Sequence, residues 1–403
     1  MSTPQTAVQS YQNFFVKTVS RSLGTAYDSI TNAPDVTNDL ADRGLAALDM
    51  ALKPQIGPAV WDQTKELLLT LSPKMEQAGR WEQWYPYLEK SLAMSATQSD
   101  QQAEGAIQLE IGILRQRRGQ FNEAIGCFKH TITCAKAVED NSLRASGLNR
   151  LGFVASQQHR MTEASNYIEQ AFELMSEDDP QRELSYSVLG MVAMGLREYQ
   201  KAVQYFQQSL EICQKNGDKH QIAVRLDNVG IALHYQGSSE MALETLDKSV
   251  KILEELNAPI QLAITKMNQG VVYEGLHEPQ KALDYYAETK PILEKAINGF
   301  NLANLYNNQG VCYYWLQQWQ AAEDLYQASL LQWQQLENWL YYANTLDGLG
   351  LVYRDAGRLE EAVKTFKDAL QILSDKTEKD VSHHLSQEIT EHLEDTYIRL
   401  ANR

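Results

Sequence analysis

Three side chains in the first half of the sequence have the types and spacing that could bind a metal ion. Cys127, His130 and Cys134 lie at i, i+3 and i+7, so one face of a helix would carry all three. Thiolates and imidazoles are common zinc ligands. Leucine or isoleucine, however, stands at most places equivalent to Cys134 about 40 residues apart, beginning with Leu174 and Ile212. Because cysteine is at home in protein cores, core packing is the favoured interpretation and no metal is expected.

A second group of the same kind lies near the C-terminus. His384, Glu388 and His392 are spaced at i, i+4 and i+8 and would stack along one helix face. A solvent-exposed face with a Glu–His pair is the favoured interpretation, since such pairs are common on helix surfaces.

Catalytic motifs are absent from the sequence. No glycine is followed by lysine, which excludes a P-loop, and there is no G-x-S-x-G elbow, H-E-x-x-H helix or EF-hand loop. We therefore expect a protein that is not an enzyme, with no catalytic residues and no cofactor.

Charge and hydropathy limit the partners. The 36 Lys and Arg residues face 52 Asp and Glu residues, and the net charge of −16 disfavours nucleic acid and anionic membranes. No apolar run approaches the about 20 residues that a membrane helix needs. The first residues do not have the pattern of a leader peptide, and the four cysteines indicate no disulfide framework. A cytoplasmic protein without membrane insertion is expected.

The structural elements that would position a site belong to a repeated sequence pattern. Glycines recur in steps of 40 residues, with one step of 38, and each is followed 12 residues later by alanine, 16 later by a large apolar or aromatic residue and 19 later by a small residue. The glycines are Gly112, Gly152, Gly190, Gly230, Gly270, Gly310 and Gly350. Such a fixed period is typical of a repeat array.

Each repeat is predicted to form two antiparallel helices. Apolar residues at −4, −1 and +3 from each glycine follow one face of a first helix, and a second helix is predicted to begin near +9. Small residues at 0, +12 and +19 let the two helices approach closely, while the large residue at +16 fills the space beside them. The turn falls near +7, where Gly119, Gly237 and Gly357 can adopt a left-handed conformation.

The residue types at these repeated positions, or columns, resemble those of the tetratricopeptide (TPR) repeat, as in Gly190, Tyr199, Ala202 and Phe206. The units exceed the usual length of about 34 residues and lack the closing proline. In this respect they are similar to the long repeats of kinesin light chain, of LGN-type adaptors and of sensor segments in bacterial signal-transduction ATPases. The resemblance implies an all-α, right-handed superhelical solenoid of antiparallel helix pairs.

The repeat period also predicts the domain organisation. Residues 1–55 form an N-terminal helical extension with helices near Val8–Leu23 and Asp39–Leu52, and residues 56–100 form a degenerate first repeat in which Trp84 replaces the alanine. Residues 101–376 hold seven repeats of about 40 residues. Residues 377–403 form a C-terminal capping helix whose apolar stripe runs from Leu385 to Leu400 and includes Tyr397.

The first helices of such a solenoid line its concave groove. Asn228, Asn268 and Asn308 stand at −2 in three successive repeats, and an asparagine ladder can hydrogen-bond the backbone of an extended peptide. In kinesin light chain and LGN-like adaptors, inner-helix asparagines have this role, and these three positions are similar. The alternative is that they bond neighbouring first helices or water.

Polar and aromatic residues at +4 and +5 extend the predicted groove, and exposed Tyr, Trp and Arg are frequent anchors of protein recognition. Core packing is the alternative for each aromatic residue. Gly195 and Gly275 in the same column are predicted to leave space for a ligand side chain. The predicted groove residues at these positions are Arg117, His234, Tyr235, Glu274, Tyr314, Trp315 and Arg354.

The resulting hypothesis is a non-enzymatic adaptor or scaffold that binds a peptide or protein segment in the concave groove. The alternative is a peptide-responsive sensor whose residues 1–55 carry the output, by analogy with bacterial quorum-peptide receptors. The identity of the partner, the pathway and the oligomeric state are not encoded in any pattern that the sequence offers.

Overall fold

The computed structural model describes residues 4–33, 38–296, 299–377 and 379–402. Within these ranges the chain forms nineteen helices and no strand. Their bounds are α1 Pro4–Thr31, α2 Asn38–Ala51, α3 Gly57–Gln77, α4 Trp81–Thr97, α5 Gln101–Arg117, α6 Phe121–Ala137, α7 Asn141–Gln157, α8 Met161–Phe172, α9 Arg182–Gly195, α10 Tyr199–Asn216, α11 Lys219–Tyr235, α12 Ser239–Glu255, α13 Pro259–Gly275, α14 Pro279–Lys295, α15 Gly299–Trp315, α16 Trp319–Gln335, α17 Trp339–Asp355, α18 Leu359–Lys376 and α19 Lys379–Ala401. The predicted all-α class is confirmed.

The chain divides into two compact units. Unit 1 comprises Met1–Gln116 and Asn122–Gly147, and unit 2 comprises Arg117–Phe121 and Leu148–Arg403. None of the described helices is both long and apolar enough to cross a membrane.

Helices α1, α2 and α3 of unit 1 pack against one another around a shared apolar core. Ile30 of α1 and Leu71 of α3 both approach Gly44 of α2, where the absence of a side chain lets the three helices meet. Helix α1 extends to Thr31, beyond the predicted end near Leu23. Residues 1–55 thus include helices that share a core with α3.

The segment in which a degenerate repeat is predicted forms helices α3 and α4. Trp84 is fully buried there, and its indole Nε1 donates to Ser72 Oγ at 3.1 Å. The polar atom of a large residue in a core needs such a partner. Ser72 supplies both the small volume and the acceptor.

The close approach predicted within each repeat is confirmed. A Cβ on Gly350 would come closer than 3.0 Å to the ring of Phe366, and Gly190 and Phe206 have the same relation. All seven second helices begin nine residues after the repeat glycine. The seven alanines at +12 are fully buried: Ala124, Ala164, Ala202, Ala242, Ala282, Ala322 and Ala362.

The small residues at +19 do more than leave space. Ser209, Ser249 and Ser329 each donate a hydroxyl hydrogen bond of 2.8 Å to a backbone carbonyl of the first helix, 26 residues earlier. Thr131 makes the equivalent bond to the Gly105 carbonyl at 3.0 Å. This bond fixes the relative position of the two helices in the repeat.

The turn near +7 is left-handed in all seven repeats, as predicted at the three glycines. Gly119, Gly237 and Gly357 have φ of 75°, 96° and 81°. Side-chain-bearing residues adopt the same conformation in the other repeats, with φ between 57° and 60°, namely His159, Arg197, His277 and Gln317. The repeat geometry thus imposes this conformation even where a Cβ makes it costly.

Helix α19 packs on α17 and α18, as a capping helix would. Leu385 and Ile389 are buried, whereas Tyr397 is 42% exposed, so its predicted place in the apolar stripe is wrong. The expected Glu388–His392 pair gives way to two other contacts. Glu388 pairs with Arg197 at 3.0 Å, and His392 Nδ1 lies 2.8 Å from Asp347.

Candidate peptide-binding surface

Two stacked tyrosines lie where α10 begins and α11 ends. The rings of Tyr199 and Tyr235 stack with centroids 5.6 Å apart, and the His234 ring meets Tyr235 edge-on at 5.3 Å. His234 Nδ1 lies 3.0 Å from Ser239 Oγ, which fixes the orientation of the imidazole. Tyr235 remains 49% exposed, so one face of this stack is open to a ligand.

Glu274, at the end of α13, faces the same region. Its Oε2 accepts a hydrogen bond of 3.3 Å from the hydroxyl of Tyr286, the +16 residue of its own repeat. Burial raises the pKa of the Glu274 carboxyl to about 8, although the tyrosine hydroxyl acts in the opposite direction. At pH 7 the protonated form of this carboxyl therefore predominates.

Tyr341 of α17 brings a distant repeat to this surface. Burial raises the pKa of Tyr235, and the nearby Tyr341, Glu274 and Tyr199 raise it further. Tyr235 is thus enclosed by groups from separate repeats while its ring stays accessible. We call Tyr199, Tyr235, Glu274, Tyr286 and Tyr341 the inner cluster.

Contacts across unit 2 hold Tyr341 in place. The His159 ring meets the Tyr341 ring edge-on at 4.7 Å, and Trp333 stacks on its other side at 4.7 Å. Asn338 Nδ2 donates to the Gln157 carbonyl at 2.9 Å. Burial lowers the pKa of His159 to about 4, so this imidazole is neutral at pH 7. The turn between α7 and α8 therefore touches the start of α17, more than four repeats later.

A buried carboxylate lies beside the predicted asparagine ladder. Asn268 Nδ2 donates to Asp227 Oδ2 at 2.8 Å, which joins the first helices of two neighbouring repeats. Asp227 is 4% exposed, and its Oδ1 has no hydrogen-bond partner among the described residues. Burial raises the pKa of Asp227 to about 6 despite the donors Asn268 and Thr265.

The other two asparagines are placed differently. Asn228 and Asn308 are half-buried on α11 and α15, and Asn308 Oδ1 lies 3.5 Å from the amide nitrogen of Asn307. The ladder ends at Gly348, where a Cβ would come within 3.0 Å of the Tyr326 hydroxyl. All three asparagines are thus partly exposed, and among the described residues only Asn268 bonds a neighbouring first helix.

Predicted groove residues of the last two repeats form a polar network. Tyr314 donates to Asp355 Oδ2 at 2.6 Å, and Arg354 bonds the same carboxylate through Nε at 2.9 Å. Arg354 also lies 3.4 Å from Asp395 of the capping helix. Burial, followed by Asp355, raises the pKa of Tyr314 to about 12. These groups already pair with one another.

Trp315, Arg117 and Tyr235 are the exposed residues among the predicted ones. Trp315 is 51% exposed and its ring lies 4.7 Å from that of His277, while Arg117 is exposed at the end of α5. The predicted spaces at Gly195 and Gly275 are filled, because Met161 and His234 occupy the positions where a Cβ would stand.

Asp227, Tyr341 and His159 take part in this surface but are not among the predicted groove residues. Tyr199 and Tyr286 are indicated by the sequence only as packing residues of the repeat. Asp227 stands at −3 in its repeat, a position on the same side of the first helix as the asparagines. Its charge at this position is therefore a signal from which the sequence could have identified it. Tyr341 and His159 come together only because distant repeats meet, which no periodicity within one repeat can reveal.

A family model described as the tetratricopeptide repeat matches residues 102–177, 181–255 and 301–375, more than half of the chain. The chain belongs to the tetratricopeptide repeat family. No curated protein matches the sequence. Other TPR proteins are modules of protein interaction, and membership of the family supports this general function for the chain.

Several solved structures share the fold of this TPR protein. A Rap protein complexed with Competence and Sporulation Factor is 14% identical, with a TM-score of 0.56, covering 84% of this chain and 98% of its own. Aspartyl phosphate phosphatase F from Bacillus subtilis is 15% identical, with a TM-score of 0.53 and coverage of 89% and 93%. The apo form of RapI is 18% identical, with a TM-score of 0.50 and coverage of 67% and 97%. At such identities the likeness establishes the fold alone.

Proposed function

We propose that unit 2 is a non-enzymatic interaction module that binds a peptide or extended protein segment along its first helices. The observation that carries this proposal is Tyr235, whose ring is half exposed yet surrounded by Tyr199, Glu274 and Tyr341. An accessible aromatic ring in a partly desolvated setting is the usual anchor of a protein-recognition site. Asn228 and Asn308 add amides that can pair with a peptide backbone.

Two carboxyls of this surface favour a cationic group on the ligand. Glu274 and Asp227 are carboxyls whose ionised forms are disfavoured by burial, and an incoming ammonium or guanidinium would stabilise those ionised forms. The tyrosine faces beside Glu274 can also contact such a cation. The proposed ligand is therefore a peptide segment with a lysine, an arginine or a free amino terminus that reaches the inner cluster.

Binding is favoured over catalysis by the state of the nucleophiles. Cys312, the thiol nearest to Glu274, is fully buried, and burial followed by Glu274 raises its pKa to about 12. Burial and Glu274 also raise the pKa of Tyr286 well above its usual value. Nucleophilic catalysis needs an activated group with a lowered pKa or an adjacent base. The Cys312 thiol and the Tyr286 hydroxyl have raised pKa values instead, so neither is an activated nucleophile.

A peptide-responsive sensor is the second candidate, favoured by the contacts between distant repeats. The Asn338–Gln157 and Arg197–Glu388 contacts lie beside the region where a ligand would enter, so a ligand could break or strengthen them. The similar Rap protein was solved as a complex with Competence and Sporulation Factor. Deleting residues 1–55 is a poor test of this idea, because α1 and α2 share a core with α3.

Selection of displayed random peptides on the full chain provides the probe for the first proposal. Peptides selected on the wild type should lose at least about tenfold in affinity on Tyr235→Ala, the loss expected for an aromatic anchor. Leu331→Ala is the matched control, since Leu331 is 55% exposed but lies on a second helix, α16. Equal affinity for the wild type and Tyr235→Ala would remove this surface from consideration.

Small-angle scattering separates the two candidates. An adaptor should keep the same radius of gyration when a selected peptide is added at saturation. A sensor should change it, and Asn338→Ala should then reproduce part of the change without peptide. A constant radius of gyration in both experiments would eliminate the sensor.

A further inference from the structure

Glu104, His130 and Cys134 of unit 1 bring three different donor atoms together. One donor atom from each residue lies within 4.8 Å of the other two. His130 Nε2 and Glu104 Oε1 are 2.7 Å apart, and Cys134 is buried directly behind them. Rotation of the partly exposed Glu104 and His130 side chains out of their mutual contact would let a single ion bind all three donors.

The helices hold these donors in a fixed arrangement. His130 and Cys134 are one turn apart on α6, so they share a face, and Glu104 lies opposite on α5. Gly105 lets α6 come so close that a Cβ there would lie 2.9 Å from the Cβ of Cys134. The Thr131 hydroxyl bonds the Gly105 carbonyl at 3.0 Å, which fixes the helices relative to each other beside the donors.

The trio differs from the one indicated by sequence spacing. Cys127 lies outside the group, because its Sγ accepts a hydrogen bond of 3.4 Å from Arg115. Glu104 takes the third place, and its position opposite His130 depends on the pairing of two helices. A core role for Cys134 is compatible with this arrangement, since the residue is buried while its sulfur lies within 4.8 Å of the other two donor atoms.

We propose that Glu104, His130 and Cys134 form a binding site for a divalent transition-metal ion of the zinc class. Thiolate, imidazole and carboxylate are the donor set that zinc accepts, whereas magnesium and calcium prefer oxygen ligands alone. The thiol proton passes to solvent as the sulfur–metal bond forms. The two negative ligands balance the charge of the ion.

Three protein ligands leave one position of a tetrahedral site for water or an outside group. Glu104 and His130 have 26% and 45% of their side chains exposed, so this position opens toward solvent. The ion would link α5 to α6 and stabilise unit 1. This site is separate from the inner cluster of unit 2 and does not depend on peptide binding.

Cobalt(II) titration of the full chain tests the site, with Co²⁺ alone as the probe. A thiolate-to-cobalt charge-transfer band should develop in the wild type, vanish in Cys134→Ser and persist in Cys127→Ser. Cys127 is the matched control because it lies on the same helix and is also buried. A band of equal intensity in Cys134→Ser, or no band in the wild type, would overturn the proposal.

Competition with Zn²⁺ gives a second measurement that does not involve removal of a buried group. Glu104→Gln and His130→Ala alter partly exposed side chains, so their fold should survive. Each should weaken Zn²⁺ binding by more than the about 10–100-fold cost of removing an outer-shell partner. Added Zn²⁺ should raise the thermal midpoint of the wild type and not that of either variant. Equal zinc affinity in wild type and variants would refute the ligand set.

Discussion

The core columns and the +4 position of the repeats in unit 2 differ in how far they vary. The glycine, alanine, large and small columns recur in every repeat, because each helix pair must pack in the same way. The +4 residues change from repeat to repeat, as His234, Glu274, Tyr314 and Arg354 show. A repeated residue thus reports packing, whereas an unrepeated polar residue at a repeated position points to a ligand or a special contact.

Truncation of a core column should give the largest effect on stability. Phe366→Ala removes a fully buried ring that packs on Gly350, and we expect a loss of about 3–5 kcal/mol in the free energy of unfolding. Tyr235→Ala, at a half-exposed ring, should cost less than about 1 kcal/mol. Urea unfolding followed by circular dichroism measures both. Similar losses would contradict the division between core and inner face.

The asparagines offer a sharper division. Asn268→Ala leaves buried Asp227 without the donor on its Oδ2, and we expect a loss of about 1–3 kcal/mol in stability. The double variant Asn228→Ala, Asn308→Ala should retain the thermal midpoint and weaken binding of selected peptides. Thermal unfolding and peptide titration on the same preparations provide the comparison. If the double variant also unfolds early, these two side chains are structural.

Glu274 makes stability depend on pH. Its pKa is about 8 in the folded protein, above the ordinary glutamate value of 4.5, so the folded state binds more protons between these values. Stability should therefore fall as pH rises from about 5 to 8. Glu274→Gln should reduce that fall, while Glu244→Gln on the exposed face of α12 should not. Thermal midpoints at pH 6 and pH 8 measure the difference. Parallel profiles for wild type and Glu274→Gln would contradict the burial of this carboxyl.

The smallest expected effects lie in the turns. Gln317 has φ of 58°, so Gln317→Gly should relieve strain and stabilise the protein by up to about 1 kcal/mol. Gly237 has φ of 96°, and a Cβ at this residue would meet no atom within 4 Å, so Gly237→Ala should destabilise by a similar amount through the backbone alone. Thermal denaturation would show opposite shifts. Shifts of the same sign would mean that side-chain contacts outweigh backbone strain.

Periodicity predicts most of the fold and little of the site. Contacts within one repeat determine the glycine and alanine columns, the first residues of the second helices and the left-handed turns. Comparing residues that lie 40 apart in the sequence reveals all of these features. Tyr235 and Glu274 are candidates for the same reason. The His159–Tyr341 contact and the Glu104–Cys134 proximity depend on how helices pair in space, and no residue column encodes them. The glycines at 195 and 275 predict open space wrongly, because neighbouring side chains fill it.

The Asn338–Gln157 contact limits how unit 2 can evolve. An open solenoid can gain or lose a repeat and leave the remaining ones undisturbed, because each repeat touches only its neighbours. In unit 2 the turn after α7 also meets the start of α17. Duplicating or deleting one repeat between α7 and α17 would displace the start of α17 from the turn after α7. Both the Asn338–Gln157 hydrogen bond and the His159–Tyr341 ring contact would be lost. These contacts therefore fix the number of repeats between α7 and α17, as closure fixes the number of strands in a barrel.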